Sequence, residues 1–207
     1  MIGIVDYNAG NITSVERALK ALGIDFILSK KPEDLKDCEK LIFPGVGDAA
    51  YAMKQLAESG FDKFLKEWCA ENKPLLGICL GSQIIFDWSE EGGTDCLGLV
   101  KGKIQHFQTL SPDIKSHGIK VPHMGWNNIV RENGDCPILK DVPLASDFYF
   151  VHSYVICPEN ESVIKAYADY GVKVPAVIQC GNIYACQFHP EKSGEAGLKI
   201  LENYCNA

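Results

Sequence analysis

Short apolar segments alternate with amphipathic helical segments over the first 80 residues, and this order limits the possible folds more than any other feature of the chain. Strands are predicted at residues 2–6, 25–29, 41–43 and 75–79. Helices are predicted between them: one with a capping box at Thr13 and Glu16 that ends at Gly23, and two at 49–58 and 61–72. Such βα units predict a parallel sheet with ligand sites at the carboxyl ends of its strands.

After about residue 96, short strand-like pieces are joined by Gly, Pro and Asn. Strands are predicted at 97–107, 128–131, 148–156, 162–167, 176–179 and 183–188, loops at 111–123 and 132–146, and a final helix at 194–204. Several of these strands are expected to be antiparallel. We therefore expect one α/β domain over residues 1–207, with a mostly parallel central sheet flanked by helices and an antiparallel extension in the C-terminal half.

Charge and cysteine content exclude several classes of protein. A formal net charge of −7 disfavours nucleic acid or an anionic membrane as the main partner, because both attract basic surfaces. The sequence has no basic leader before an apolar segment and no apolar run that could span a bilayer, so we expect a cytoplasmic location. Nine cysteines without a C-x-x-C pair suggest neither a disulfide framework nor a zinc site, and we expect no metal or cofactor.

Cys79 stands in the segment G-I-C-L-G, between a predicted strand and a helix predicted to open at 82–86. This is the cysteine counterpart of the nucleophile elbow, in which glycines permit a tight strand-to-helix turn. At a helix N-terminus, unpaired amide groups favour the thiolate over the thiol. The alternative is a core cysteine, the usual fate of a free thiol. The flanking Gly77 and Gly81 favour the nucleophile.

A histidine base for this cysteine is predicted near the C-terminus. His189 follows the strand predicted at 183–188 and precedes Pro190, which cannot donate to a sheet. In extended backbone, residues two apart point to one side, so the Glu191 carboxylate can fix the tautomer of His189. The alternative is a surface turn with a solvated carboxylate. In combination with Cys79, a Cys-His-Glu arrangement for nucleophilic catalysis is favoured.

The segment P-G-V-G that follows the third predicted strand is a candidate oxyanion loop. Glycines let a backbone amide approach a developing negative oxygen, which makes Gly45, Val46 and Gly47 the candidates. The same glycines, with Ala50, fit a loose dinucleotide fingerprint, but in a later βα unit than the first. An ordinary βα loop is the remaining alternative. The presence of Cys79 and His189 favours the oxyanion loop.

These segments together resemble the class I, triad-type glutamine amidotransferases: P-G-V-G at 44–47, G-I-C-L-G-S-Q at 77–83 and Q-F-H-P-E-K-S at 187–193. Four more resemble signature segments of the HisH-type glutaminase subunits of imidazole glycerol phosphate synthase: D-Y-N-A-G-N at 6–11, S-E-E-G at 89–92, P-H-M-G-W-N at 122–127 and Y-F-V-H-S-Y at 149–154. The resemblance covers essentially the whole chain and implies a flavodoxin-like α/β fold.

The resemblance also implies a reaction. Cys79 would attack the side-chain amide of glutamine, His189 would pass the proton to the departing ammonia, and Glu191 would orient His189. Water would then release glutamate from the thioester. The substrate would be held by residues of two segments, namely Gln83, His152, Ser153 and Tyr154.

The implied partner is a HisF-type (β/α)₈ cyclase subunit, which would form a heterodimer, receive ammonia through its barrel and make imidazole glycerol phosphate and AICAR in histidine biosynthesis. Asn11, Trp126 and Lys192 are similar to contact residues for that partner, although Trp126 has the alternative of a core position. The P-G-V-G loop would have to rearrange to present its amide, so the free subunit is expected to be nearly idle.

The sequence also departs from the family pattern. Ser82 stands where methionine is usual, Asp87 and Trp88 alter the segment before S-E-E-G, and Asn8 replaces a frequent glycine. These departures leave open a HisH-like paralogue that supplies ammonia for sugar amidation in surface-glycan biosynthesis. Alternatives of other classes are a stand-alone DJ-1-like cysteine hydrolase or redox sensor, neither of which needs a glutamine-binding set, and a nucleotide-binding module.

Overall fold

A mixed eight-stranded sheet forms the centre of the protein, which a computed structural model describes over residues 1–206. The strands of the described chain are, in order, β1 (Ile2–Val5), β2 (Phe26–Ser29), β3 (Lys40–Gly45), β4 (Leu75–Cys79), β5 (Trp88–Ser89), β6 (Thr94–Asp95), β7 (Gly102–His106), β8 (His123–Asn128), β9 (Val130–Arg131), β10 (Asp147–His152), β11 (Tyr154–Pro158), β12 (Ile164–Asp169), β13 (Lys173–Cys180) and β14 (Ile183–Cys186).

Helices lie between these strands. They are α1 (Ile12–Ala21), α2 (Pro32–Leu35), α3 (Ala49–Ser59), α4 (Phe61–Ala70), α5 (Leu80–Gln83), α6 (Phe107–Leu110) and α7 (Gly194–Asn206). Short 3₁₀ turns occur at Glu91–Gly93, Pro137–Leu139, Glu161–Val163 and Pro190–Lys192. None of the helices within residues 1–206 combines the length and the apolar character needed to cross a membrane.

The central sheet has the order β2-β1-β3-β4-β14-β13-β12-β9. The five strands from β2 to β14 are parallel, and β13, β12 and β9 continue the sheet in antiparallel pairing. This arrangement confirms the predicted α/β fold, including its antiparallel extension in the C-terminal half.

The parallel strands are buried on both faces. Leu41 and Phe43 of β3 pack into one core with α3 and α4, while Ile42 between them packs into a second core with α1 and α7. This alternation explains why the strands read as continuous apolar runs, since each side chain finds a helix layer whichever way it points.

Two small sheets stand beside the central one. β10 pairs antiparallel with β8, and β11 belongs to a four-stranded sheet of order β11-β7-β5-β6. The single strand predicted at 148–156 is therefore divided: it leaves one sheet after His152, passes through Ser153 and enters the other at Tyr154. A change of sheet within one apolar run leaves no break in the sequence pattern.

The first helix begins earlier than the sequence predicts. α1 starts at Ile12, so Thr13 and Glu16 lie inside the helix and the predicted capping box is wrong. The Asn11 side chain makes no capping bond and accepts a hydrogen bond from Ser14 Oγ at 3.2 Å instead. Ile12 packs against the core, and this burial extends the helix toward its N-terminus.

The strand predicted at 97–107 is observed only from Gly102. The N–H groups of residues 97–100 donate to the carbonyl oxygens of Ile84, Ile85 and Phe86. α5 ends at Gln83 and does not continue through residue 86 as predicted, since the Phe86 N–H donates to the Gln83 carbonyl oxygen at 3.1 Å in a tighter turn. Leu97 and Val100 are apolar because they are buried in this turn, and not because they belong to a strand.

The sequence predicts a loop at 111–123 and a strand only from 128, where the structure has β8 from His123 to Asn128. Its sequence contains Gly125 and two asparagines, which are poor strand formers. It nevertheless pairs with β10 along its whole length, from Asn128 opposite Asp147 to His123 opposite His152. Pairing with a strong strand, and not local propensity, produces β8.

Candidate active site

Three neighbouring strands of the central sheet end at one cavity. β4 lies between β3 and β14, with Gly45 opposite Cys79 on one side and Cys186 opposite Ile78 on the other. The chain that leaves β14 then carries His189 into the same cavity. The structure thus brings together three segments that lie far apart in the sequence, at the carboxyl ends where a parallel sheet binds ligands.

The sharp turn after β4 is made by the cysteine itself. Cys79 has φ 55° and ψ −112°, a conformation that is rare for a residue other than glycine. Neither Gly77 nor Gly81 is left-handed, but a Cβ at Gly77 would lie 2.7 Å from the Gly81 oxygen, and one at Gly81 would collide with the carbonyl oxygen of Phe43. The two glycines therefore permit close packing of the tight turn, as predicted, while the left-handed position itself is taken by Cys79.

His189 and Glu191 form a buried pair beside this turn. His189 Nδ1 donates to Glu191 Oε1 at 2.7 Å, and the two side chains are 2% and 1% exposed. This geometry assigns the proton to Nδ1, because the carboxylate can only accept. Nε2 is buried and has no hydrogen-bond partner with good geometry among residues 1–206, so it is left for chemistry in the cavity.

The main chain of His189 is fixed as well. Its N–H donates to the carbonyl oxygen of Tyr149 at 3.0 Å, and its own carbonyl accepts from Ser193 Oγ at 2.6 Å. Ser193 Oγ in turn accepts from the Tyr149 N–H at 3.0 Å. Ser193 belongs to the segment singled out in the sequence, but its role in holding the base depends on β10 and could not be read from the motif.

Opposing effects act on the pKa of His189. Burial, the largest of them, favours the neutral ring, but hydrogen bonding and negative charge at Cys79 and Glu191 outweigh it and raise the pKa to about 9. At neutral pH the ring is therefore an imidazolium. A cation beside a cysteine favours nucleophilic attack by its sulfur, so the arrangement suits this chemistry.

The cavity has a volume of about 290 Å³, small for a ligand site and suited to a single amino acid. Eight of its lining residues are candidates from the sequence, namely Val46, Gly47, Cys79, Gln83, His152, Ser153, Tyr154 and His189. Three are not, namely Leu80, Glu91 and Val151. No group of three or more His, Cys, Asp or Glu side chains placed for a metal occurs in the described part of the chain.

Gln83 is held rigidly in the wall of the cavity. Its Nε2 donates to Gln187 Oε1 at 2.8 Å and to the carbonyl oxygen of Tyr154 at 3.1 Å, and the residue is 5% exposed. The two partners lie in β11 and just after β14, so the amide is held from two directions. A substrate would meet a preformed polar group at this point.

Glu91 contributes the one acidic side chain among the residues that line the cavity. Burial raises the pKa of its carboxyl, although the hydrogen bond that Oε2 accepts from the Ala49 N–H at 2.9 Å opposes this effect. The segment S-E-E-G is noted in the sequence for its resemblance, but no local pattern tells which glutamate faces the site.

The candidate oxyanion loop is engaged elsewhere. The N–H of Val46 donates to the carbonyl oxygen of Ala9 at 3.1 Å, and Gly47 has φ 100°, a conformation open to glycine. The Val46 amide is therefore not available to a substrate in this arrangement. Leu80, which follows the nucleophile, begins α5, and its N–H has no acceptor within that helix.

Two of the candidate partner contacts lie together near His189. Trp126 is 59% exposed, which excludes the core position considered from the sequence. Its ring is 6.0 Å from that of Tyr149, and Lys192 Nζ lies 5.9 Å from the centre of the Tyr149 ring. Asn11 stands at the start of α1, which packs against the turn that contains Glu191 and Lys192.

The departures from the family pattern leave this site intact. Asn8 has φ 64°, which asparagine tolerates better than most residues, so it can replace glycine. Ser82 Oγ donates to the carbonyl oxygen of Cys79 at 2.6 Å within the elbow. Asp87 accepts from Lys101 Nζ at 2.8 Å and from the Gly102 N–H at 2.9 Å, and it does not line the cavity.

The sequence profile described as "Glutamine amidotransferase class-I" matches residues 3–206. The chain belongs to this family. A protein named imidazole glycerol phosphate synthase subunit HisH from a Geobacillus species is 47% identical over 207 residues, which cover 100% of this chain and 96% of that protein. A protein of the same name from Halalkalibacterium halodurans is 45% identical over 205 residues, 99% of this chain and 94% of that protein.

Solved structures of glutamine amidotransferases share the fold. One described by that name has a TM-score of 0.75 at 19% identity and covers 100% of this chain and 99% of its own. The structure of PurLQS from Thermotoga maritima has a TM-score of 0.73 at 20% identity, with 99% and 97% covered. At such identities the likeness establishes the fold alone, and membership of the amidotransferase family rests on the sequence matches.

Proposed function

We propose that this amidotransferase is the glutamine-hydrolysing subunit of an imidazole glycerol phosphate synthase in histidine biosynthesis. The observation that carries the proposal is a buried Cys-His-Glu set beside a cavity of amino-acid size. It occurs in a chain whose relatives at 43–47% identity, over nearly their full length, are named as HisH subunits.

In the proposed reaction the Cys79 thiolate attacks the side-chain amide carbon of glutamine, forming a C–S bond and placing a negative charge on the amide oxygen. The His189 imidazolium gives its Nε2 proton to the nitrogen, the C–N bond breaks and ammonia leaves. His189 then takes a proton from water as the water attacks the thioester. The C–S bond breaks, the side-chain carboxylic acid loses its proton to solvent, and thiolate and imidazolium are restored. Glu191 holds Nδ1 throughout.

We assign the oxyanion to two main-chain donors. Leu80 offers its N–H immediately after the nucleophile, as in other nucleophile elbows. The second donor is expected from the loop of Gly45, Val46 and Gly47, but the Val46 N–H is bound to Ala9. The loop must release this bond before the site is complete, which supports the expectation of low activity in the isolated subunit.

Substrate recognition is assigned to the polar wall of the cavity. Glu91 suits the α-ammonium group of glutamine, because it is the acidic side chain there. Gln83, Ser153 and Tyr154 supply further polar contacts. Both ring nitrogens of His152 are within 3.1 Å of protein atoms, so we assign His152 a place in the wall and no direct hydrogen bond to substrate through its ring.

The relatives are named as subunits, and we propose a HisF-type (β/α)₈ cyclase subunit as the partner, in the cytoplasm. It would dock on the face that carries Trp126 and Lys192, with Asn11 at the edge. The exposed Met124, which neighbours Trp126 on β8, extends this apolar face. Exposed aromatic and sulfur-containing side chains of this kind are typical of protein interfaces.

The decisive experiment measures glutamine hydrolysis by the purified chain alone, with the cyclase subunit, and with that subunit and its imidazole-pathway ribonucleotide ligand. We expect slow hydrolysis alone and a rise of about 100-fold or more in the loaded complex, equal to roughly 3 kcal/mol of coupling. Full turnover without a partner would instead favour a stand-alone hydrolase. Stimulation only by a sugar precursor of a surface glycan would refute the histidine pathway and keep the amidotransferase chemistry.

A further inference from the structure

Two histidines are buried against each other behind the wall of the cavity. His123 on β8 and His152 on β10 are 1% and 6% exposed, and His123 Nδ1 lies 3.1 Å from His152 Nε2. Neither ring takes part in the proposed proton transfers. Buried polar rings require partners, so their hydrogen bonds have to be accounted for.

The hydrogen bonds around the pair assign every proton. His152 Nδ1 is 2.7 Å from the carbonyl oxygen of Tyr154, which can only accept, so Nδ1 carries the hydrogen. The Nε2 of a neutral His152 must then accept, and His123 Nδ1 must donate to it. His123 Nε2 is left as an acceptor for Asn127 Nδ2, 3.4 Å away, whose amide also donates to the carbonyl oxygen of Asp169 at 3.0 Å.

Electrostatics keep both rings neutral. Burial lowers the pKa of His123 to about 4. Burial is also the largest influence on His152, and together with the neighbouring His123 and His189 it lowers the pKa of His152 to about 3. The directional chain from Asn127 through the two rings to Tyr154 therefore persists at neutral pH, because none of its members changes its proton there.

The chain ends at a carbonyl that belongs to the cavity. The Tyr154 oxygen accepts from His152 and also from Gln83 Nε2 at 3.1 Å. His152, Gln83 and Tyr154 all line the cavity. The Tyr154 carbonyl thus connects His152 and Gln83. The orientation of His152 depends in turn on the hydrogen bond that His123 Nδ1 donates to His152 Nε2.

We propose that His123 is a positioning residue for glutamine: its Nδ1–H holds His152 in the Nδ1–H tautomer and thereby fixes the Tyr154 carbonyl and the Gln83 amide in the substrate-binding wall. The proposal rests on the proposed function, since it names how the glutamine site is held. It predicts an effect on substrate binding more than on the chemical step, because His123 touches neither the nucleophile nor the base.

Ring stacking is the competing explanation for the burial of His123. Its ring is stacked on Phe150 at 4.5 Å and on Tyr170 at 3.9 Å between ring centres. Two substitutions separate the effects. His123→Phe keeps an aromatic ring and removes the donor, whereas His123→Asn removes the ring and retains an amide N–H near the position of Nδ1.

The first measurement is the glutamine kinetics of these variants in the complex with the cyclase subunit and its ligand. We expect His123→Phe to raise KM on the order of tenfold with kcat within about threefold, the size expected when a buried acceptor loses its donor. His123→Asn is expected to keep KM within about threefold of the parent. A KM for His123→Phe equal to that of the parent, or a larger KM for His123→Asn than for His123→Phe, would overturn the proposal.

The second measurement is the ¹⁵N spectrum of the imidazole nitrogens, which needs no activity. Both His123 and His152 are expected as neutral Nδ1–H tautomers at pH 7, with a displaced His152 Nε2 signal in His123→Phe. A protonated Nε2 on His152 would refute the proposed hydrogen-bond direction from His123 to His152. A parent complex without glutamine hydrolysis would instead refute the proposed function, while an active parent with an unaffected His123→Phe variant would refute only the positioning role.

Discussion

The two sides of the cavity differ in how far they are assembled. On one side, Cys79, His189 and Glu191 are buried, and His189 is hydrogen-bonded to Glu191 with its pKa raised to about 9. On the other, the loop at residues 46–48 is exposed, and the Val46 N–H is bound to Ala9, not directed at a substrate. The proposed nucleophile is thus in place, while the Val46 N–H, the proposed oxyanion donor, is bound elsewhere.

This difference indicates where control can act on such an enzyme. The placement of Cys79 beside His189 depends on the pairing of β4 with β14, so altering it would disturb the central sheet. A main-chain hydrogen bond in an exposed loop can be exchanged at small cost, on the order of 1 kcal/mol. Regulation by a partner is therefore expected on the loop side, with the triad unchanged.

The largest effect is expected on the assembled side. Cys79→Ala should lower glutamine hydrolysis in the loaded complex by at least about 10⁴-fold, because no other group can form the thioester. A glutamine-like electrophile should label Cys79 alone, since burial raises the pKa of thiols such as Cys69 and Cys96, each to about 12. Peptide mass mapping checks the labelled site.

The matched control for this change is Cys157→Ala, because burial also raises the pKa of the Cys157 thiol on β11, outside the cavity lining. It should retain hydrolysis and labelling. Labelling of any other cysteine with Cys79 untouched would contradict the assignment of the nucleophile.

Glu191→Gln should have a smaller effect, a loss of about 10²- to 10³-fold, since the carboxylate orients the base and makes no bond to substrate. Removing its negative charge should also lower the pKa of His189 from about 9, so the alkaline limb of the pH–rate profile should move to lower pH.

The raised pKa of His189 also predicts how the stability of the parent depends on pH. The contribution of the charged ring to the free energy of unfolding is fully present below pH about 6.5 and is lost as the pH rises through about 9.

Nuclear magnetic resonance titration of the imidazole and unfolding curves between pH 6 and 10 measure these quantities. An unchanged His189 pKa in Glu191→Gln, or a loss of turnover as large as that of Cys79→Ala, would show that the orienting role is wrong.

On the loop side, Gly47→Ala should lower partner-stimulated turnover by about tenfold and stability by about 1–2 kcal/mol. The cause is conformational, since φ is 100° and an added Cβ would meet no atom within 4 Å. Gly134→Ala is the matched control, with φ 81° and equally free space. Gly134→Ala should lower the free energy of unfolding by a similar amount and leave turnover unchanged. Equal losses of turnover in both variants would show that regulation by the partner does not act through this loop.

The smallest effect is expected next to the Ala9 acceptor. Asn8→Gly should change the free energy of unfolding by less than about 1 kcal/mol and turnover by less than about threefold, because glycine adopts φ 64° readily and the Val46–Ala9 bond uses main-chain atoms. Asn72→Gly, with φ 58° and outside the cavity lining, is the comparison. A marked rise in basal turnover in Asn8→Gly alone would show that Asn8 itself restrains the loop.

The assembled side of the site could be predicted because its signals are local. A strand followed by G-x-C-x-G places Cys79 at a sheet end. Glu191 does contact His189, but through the 3₁₀ turn Pro190–Lys192 and not through the extended backbone assumed from the sequence, so the reason given for that prediction is wrong. One inference reaches beyond local sequence: because the strands are parallel, their carboxyl ends lie at the same edge of the sheet, and this brings Cys79 and His189 together. The periodicities that define strands and helices are short, so the fold class followed from them as well.

The remaining features depend on contacts between distant segments. The bond from Val46 to Ala9, the position of Glu91 and the pairing of His123 with His152 each join residues that no local pattern connects. β8 itself exists because of β10, despite its glycine and asparagines. Sequence periodicity records which face of an element is buried, but it does not record which neighbour buries it.

The position of β14 between β4 and β13 has a consequence for protein synthesis. β4 carries Cys79, but one of the two neighbours of β4, together with His189 and Glu191, comes from residues 183–191, which follow much later in the sequence. Until those residues leave the ribosome, β4 is an unpaired apolar edge and Cys79 has no imidazolium beside it. A nascent or truncated chain that lacks residues 183–191 is therefore expected to have neither the complete central sheet nor the proposed glutamine hydrolysis.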